Sequence, residues 1–371
     1  MKKVLTIILA FAMAVSAFAG GNKEPKKAAG ASQGLKVGIL TTSGVDDGSF
    51  GQDCYNGILE FVKNNPEATV TAIKEPDMAK VVTAVGDIIA DYDVLVLPGF
   101  QFAPVGAVLQ DNPDRKVILV DTYPTVDGKE MELPNIYALQ FHEEESGFFA
   151  GIAAALETKS GKVAVVNGMA FPSNVNYQFG FMSGVNYANK YLGGKAQYVE
   201  LPSYAGTDVT GKPVKGNYIG GFADEATGKV VGAALIAQGV DVLFVAAGSS
   251  GNGVFTAAKE ANGVYLIGVD VDQYDDGFKG TENIMLTSGL KVMHSNVAKQ
   301  LQAIKDGTFK GKNDLLGVST DSTGYVSTAG RNKLSADTLA KLQDVYGKIK
   351  SGAIVPAANF NGHTPTNFPG L

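Results

Sequence analysis

Leu35-Lys36-Val37-Gly38-Ile39-Leu40 is followed by Gly44-Val45-Asp46-Asp47-Gly48-Ser49-Phe50-Gly51-Gln52, and then by Tyr55-Asn56-Gly57-Ile58-Leu59-Glu60-Phe61-Val62. The first run is short and apolar, which predicts a buried strand. The third run has apolar residues at helical spacing. The stretch between them is therefore a strand-to-helix turn. In an open α/β sheet that turn stands at the carboxyl end of its strand, where ligands bind. It offers two carboxylates, a hydroxyl, an aromatic face and a helix N-terminus. A plain capped turn with a core Phe would use the same residues, since every α/β protein has such joints.

The same rhythm continues downstream. Residues 68–73, 92–97, 117–120 and 136–141 read as strands, with helices over 77–90 and 103–109. Continuous apolar strands alternating with helices predict a parallel sheet covered on both faces. Then the pattern restarts. Helices are expected over 143–157, 177–192, 224–238 and 253–261, the third capped by Asp224. Strands are expected over 162–166, 196–201, 241–245 and 264–269. Residues 287–291 lead into a helix over 292–304, and a last helix covers 335–349. The Gly/Pro/Lys-rich 207–217 reads as a surface insertion. Two α/β units, roughly 35–138 and 139–285, with a cleft between them make a hinge-closing ligand trap.

The chain has 371 residues, 45% hydrophobic and 18% charged, with net charge −6. That is the composition of a soluble protein with large cores. An acidic chain without basic clusters argues against nucleic acid and against an anionic membrane surface. Met1-Lys2-Lys3, the apolar run from Val4 to Val15 and Ala17-Phe18-Ala19 form a cleavable signal peptide over 1–19, with Gly20 as the mature start. Residues 20–34 are a polar tether of low hydrophobicity. The single cysteine, Cys54, lies inside the first helix pattern and reads as a small buried residue. No cysteine stands at the cleavage point, so the expectation is a periplasmic protein without a lipid anchor.

Carboxylates recur where strands stop: Asp46 and Asp47, Asp121, and Asp270. Several of them facing one cleft need donors, such as sugar hydroxyls or a cation. Lys291 is a candidate counter-charge. His142, His294 and His363 have no metal-ligand spacing, and the acidic cluster Asp270, Asp272, Asp275, Asp276 lacks the calcium-loop pattern, so no metal or other cofactor is expected. There is no Gly-x-Ser-x-Gly elbow and no plausible Cys–His pair, so no enzyme is expected. The small residues of Gly248-Ser-Ser-Gly251-Asn-Gly253 let a backbone approach a ligand closely. Phe50 in the first unit and Tyr177 in the second bring one ring from each side, a clamp for a flat heterocycle.

These stretches together resemble a known family. They are Asp47-Gly-Ser-Phe50-Gly-Gln52, Phe141-His-Glu-Glu-Glu-Ser-Gly-Phe-Phe-Ala-Gly151, Tyr177-Gln-Phe-Gly-Phe181-Met-Ser-Gly184, the run Asp241 to Val254, Gly268-Val-Asp270-Val-Asp-Gln273 and Thr287-Ser-Gly-Leu-Lys291. In this order they resemble the basic membrane protein family of ABC-transporter substrate-binding proteins, the purine-nucleoside receptor group. The resemblance covers about residues 35–350. It implies the type I periplasmic-binding fold, in which two lobes are joined by three hinge strands. The lobes would be 35–138 with 288–322, and 139–287 with 323–355, followed by a tail over 356–371. It implies a monomer that carries a nucleoside, purine by family habit, to ABC permease subunits.

By the same resemblance Phe50 and Tyr177 sandwich the base and Asp121 reads its edge. Asp270 and Lys291 hold the ribose hydroxyls, Gly248 approaches the sugar, and Asp46 or Asp47 with Ser49 shape the turn. The family usually has Asn after the motif Phe, where this chain has Gly51. A same-fold receptor for a sugar or another small metabolite, and a secreted nucleoside hydrolase, remain alternatives.

Overall fold

The computed structural model describes residues 34–358. The expected signal peptide, the tether up to Gln33 and tail residues 359–371 lie outside the described residues. The apolar runs of the first unit form β1 (Lys36–Thr41), β2 (Thr69–Lys74), β3 (Val94–Pro98), β4 (Lys116–Val120) and β5 (Ile136–Phe141). Their residues are buried almost throughout in β1, β3 and β4, because helices cover both faces. β2 is largely exposed, as fits a sheet edge. The helices between are α1 (Phe50–Asn64), α2 (Val81–Ile88) and α3 (Gly106–Asp111).

The second unit repeats the plan. It carries α4 (Glu143–Glu157), β6 (Lys162–Asn167), α5 (Pro172–Tyr187), β7 (Gln197–Tyr198), α6 (Glu225–Ala237), β8 (Val242–Ala246), α7 (Ser250–Glu260), β9 (Tyr265–Asp270) and β10 (Met285–Lys291). After it come α8 (His294–Lys305), β11 (Lys312–Leu316), β12 (Thr323–Tyr325) and α9 (Ala336–Lys350). The strands make two six-stranded sheets, in the orders β11-β5-β4-β3-β1-β2 and β12-β10-β9-β8-β6-β7. All neighbours are parallel except β12, which runs antiparallel to β10. Asp121 follows β4 and Asp270 ends β9, and each strand holds the same rank in its sheet.

The chain passes between the sheets three times. It leaves the first after β5, since α4 packs on β10 and β12. It returns after β10, since α8 packs on α1 and β11 pairs with β5. It leaves again between β11 and β12. This is the type I periplasmic-binding fold. A boundary at 138/139 falls within β5 and one at 287/288 within β10, because each of those strands completes its own sheet before the chain crosses. Among the described residues no helix is long and apolar enough to cross a membrane.

Five segments differ from the sequence expectation. The helix read from 177 begins at Pro172, where proline has no lost hydrogen bond to answer for. Residues 287–291 are strand, the end of β10. β11 and β12 were not legible: Lys312-Asn313-Asp314-Leu315-Leu316 is too polar and the other is only three residues long. Within 207–217 the first part is an exposed hairpin, but Asn217 is fully buried and its amide donates to Val165 O and Val199 O.

α4 and α5 lie unusually close. A Cβ on Gly147 or Gly151 would stand 2.4 or 2.1 Å from a carbonyl oxygen of α5, and one on Gly180 or Gly184 would stand 2.1 or 2.2 Å from one of α4. The i, i+4 spacing puts each glycine pair on one helix face. This seam fixes the height of α5, and with it Tyr177, over the strand ends.

Candidate functional site: a cleft between the strand ends of two lobes

The opening turn closes on itself. The Asp47 carboxylate accepts from Ser43 Oγ (2.8 Å) and from the backbone N–H groups of Ser49 (3.2 Å), Gly51 (2.9 Å) and Gln52 (3.0 Å). It therefore neutralises the N-terminus of α1, where free donors and the helix dipole favour an anion. That geometry leaves the Phe50 ring half-buried at the cleft. Three residues on, Asp53 accepts from Met293 N (3.1 Å) and His294 N (3.0 Å) and ties the start of α8 to α1. The Asp53 carboxylate, accepting from His294 Nδ1, raises the pKa of His294. Lys291, just before this clamp, is thus placed by the same helix that places Phe50.

Lys291 is 2% exposed. Its ammonium donates to both oxygens of Asp121, at 3.0 and 2.8 Å, and lies 3.7 Å from Glu143 Oε1 and 3.8 Å from Asp270 Oδ1. It also stands 4.6 Å from the Phe50 ring centroid and 5.6 Å from that of Tyr177. A buried ammonium among three carboxylates and two rings is charge-balanced only in part. Burial alone would lower the Lys291 pKa, but Asp121, Asp270 and Glu143 together raise it. Burial pushes Asp270 up to about 6 against the pull of Lys291 and the Tyr177 hydroxyl. Asp121 and Asp270 both have left-handed backbone, φ +68° and +66°. Such strain on non-glycine residues concentrates at functional sites.

The Asp121–Lys291 pair spans the cleft, as do two other contacts. Gln273 Nε2 donates to Gly48 O (3.2 Å), and the Phe100 and Phe171 rings meet at 5.6 Å. Between them lies a pocket lined by residues of both lobes, the kind of concave setting in which small-molecule sites form. Asp47, Phe50, Gly51, Asp121, Tyr177, Gly248, Asp270 and Lys291 all line it. Asp46 and Ser49 do not: Asp46 is exposed, and Ser49 is buried in the turn at the start of α1.

Tyr177 has a different posture from the one expected. It is 3% exposed, its hydroxyl donates to Asp270 Oδ1 (2.7 Å), and its ring is edge-on to Phe244. The half-buried rings that the second lobe turns to the cavity are Phe171 and Phe222, which pack together at 5.8 Å. Ser249 Oγ donates to Phe222 O (2.9 Å), so the Gly248 loop holds that ring in place. Phe100, Phe171, Phe222 and Asn174 are among the lining residues that sequence reasoning did not assign. Phe100 follows the third strand and was open to the strand-end rule. Phe222 sits in a Gly-flanked loop with no periodicity to read. Among the described residues no group of three or more His, Cys, Asp or Glu side chains is placed to hold a metal ion.

A family model described as ABC transporter substrate-binding protein PnrA-like matches residues 35–201 and 211–358. The chain belongs to this PnrA-like family. It is 28% identical to the "ABC transporter nucleoside-binding protein BmpA" of Lactococcus lactis, over 95% of this chain and 97% of that one. It is 29% identical to the "CD4+ T-cell-stimulating antigen" of Listeria innocua, over 94% and 96%. An ABC-transporter solute-binding protein of Aeropyrum pernix has the same fold, with TM-score 0.72 at 23% identity, over 86% of this chain and 92% of that one. Family members bind small molecules outside the cytoplasmic membrane and serve a permease.

Proposed function

We propose that this chain is the exported nucleoside receptor of an ABC importer and that it performs no chemistry on its ligand. The observation that carries the reading is one cleft holding aromatic rings from both lobes beside the Asp121–Lys291–Asp270 cluster. A nucleoside needs both halves: a flat face for rings, and hydroxyls that donate to carboxylates and accept from an ammonium. The name of the Lactococcus lactis relative supports the same class. Phe50 from the first lobe and Phe222 from the second supply the base platform, and Tyr177 orients Asp270. Asp270 and Lys291 take the ribose, and Asp121 takes a base or sugar donor. The basic start, apolar run and Ala17-Phe18-Ala19 support export into the periplasm.

A thermal-shift screen of nucleosides, free bases and sugars tests the class. A ligand at a hundred times its Kd stabilises by about 2.7 kcal/mol, so a purine nucleoside should raise Tm by several degrees. A shift with sugars alone would move the assignment to a sugar receptor, the reading that the missing Asn at Gly51 favours. Phe50→Ala and Phe222→Ala should each weaken nucleoside binding roughly tenfold to a hundredfold, as measured by calorimetry, since stacking contributes about 1–3 kcal/mol per base. Unchanged affinity in both variants would sink the platform.

A further inference from the structure

Glu143 opens α4 directly after the chain crosses from β5, and it is 1% exposed. It does not line the cavity, yet it is the third carboxylate within 4 Å of the Lys291 ammonium. Its Oε2 accepts from Asn176 Nδ2 (3.0 Å), the residue before Tyr177. The charged and titratable groups around it are Lys291 on β10, Asp121 beyond β4, Asp270 on β9, Tyr177 on α5, and Glu144 and His142 on its own segment. His142 is engaged by Glu144 (2.7 Å). Lys291 with ionised Asp121 and Asp270 already sums to −1, and an ionised Glu143 would take the cluster to −2 without water to screen it.

We infer that Glu143, as a neutral acid, is the positioning residue that leaves Lys291 between the lobes, and that its ionisation draws the ammonium back from Asp121 and weakens ligand binding. The ligand half of this rests on the nucleoside reading above, through the contact of Lys291 with the ribose. Burial, with Asp121 and Glu144 adding to it against Lys291 and Asn176, lifts the Glu143 carboxyl to about 8. The sign follows. Below that pH the acid is neutral and Lys291 belongs to Asp121 and the ligand. Above it an anion at 3.7 Å competes for the same ammonium.

Two measurements test this. The first needs no ligand: carbon-13 NMR of glutamate-labelled protein, with the Glu143 carboxyl signal assigned by its loss in Glu143→Gln. It should titrate with a midpoint near 8. A carboxyl already ionised at pH 6, or still protonated at pH 10, overturns the proposal. The second is adenosine affinity at pH 7 and pH 9, an interval in which this nucleoside does not itself titrate. If only the neutral form binds, the wild-type affinity falls roughly tenfold over that interval, and the ratio in Glu143→Gln stays near one. Equal ratios in the two proteins also overturn it. If no nucleoside binds, adenosine included, the nucleoside reading fails, and the carboxyl titration still decides the state of Glu143.

Discussion

Lys291→Met should remove ligand binding and destabilise the protein by about 3–5 kcal/mol near neutral pH, the usual effect of leaving buried charges without their partner. The methionine fills most of the lysine's volume, so the loss is electrostatic rather than a cavity. Asp121, Glu143 and Asp270 would be left together, and all three are buried. The pH dependence identifies the cause. Without the ammonium, burial holds the Asp270 and Glu143 carboxyls protonated to still higher pH than in the unfolded chain. A carboxyl whose folded pKa is raised contributes stability below its unfolded pKa and loses it as pH rises through the folded value. Urea unfolding of the variant should therefore show partial recovery at pH 5 and a larger deficit at pH 7.5. The wild type should fall less over the same interval, since Lys291 offsets part of the repulsion at Asp270 and Glu143. A variant as stable as the wild type at pH 7.5 would mean that the cluster tolerates its own charge, and the account of the site would have to change.

Much of this site was legible because it breaks patterns. Asp121 and Asp270 are charges set at the ends of apolar strands, where a charge has no place without a use, and Lys291 is the cation that follows Thr-Ser-Gly where the second unit hands back to the next segment. Strand-end geometry then gathers them without any knowledge of the fold's details. Phe50 was legible for the same reason. Other residues were hidden by patterns that they satisfy. Glu143-Glu144-Glu145 looks like the solvated first turn of a helix, where acids complement the dipole. In the structure the first two are buried, because α4 starts in the crossing between the lobes rather than at the surface. Tyr177 lies on a helix whose start was read five residues late, so the direction of its ring was not fixed by the sequence. The rings of Phe171 and Phe222 depend on loops, whose paths follow from tertiary contacts such as Ser249 Oγ to Phe222 O.

Gly51→Asn installs the asparagine that the family resemblance leads one to expect after the motif Phe, and it should weaken both the fold and ligand binding. A Cβ at position 51 would stand 2.1 Å from Gly44 O and 3.0 Å from Asp47 Oδ2. The first contact is with backbone, and Gly44 is itself held at φ +114°, so the loop cannot give way by a side-chain rotation. It must move as a unit, and the three backbone donors that Asp47 accepts from Ser49, Gly51 and Gln52 move with it. Overpacking of this kind costs about 1–3 kcal/mol, and the helix-capping carboxylate adds roughly 1 kcal/mol if its bonds are lost. Phe50 adjoins the displaced residue, so nucleoside affinity should fall with stability. Gly51→Ala separates the causes, because it has the same Cβ and no amide. Both variants should lower Tm by similar amounts and both should bind more weakly. If Gly51→Asn instead bound purine nucleosides more tightly at unchanged Tm, the turn would be pliable and the base-reading role would simply have been vacant. If the two variants behave alike, this chain has exchanged the asparagine for a tighter turn, and its base edge is read from elsewhere in the cleft, with Asn174 and Asp121 the cavity-lining side chains best suited to it.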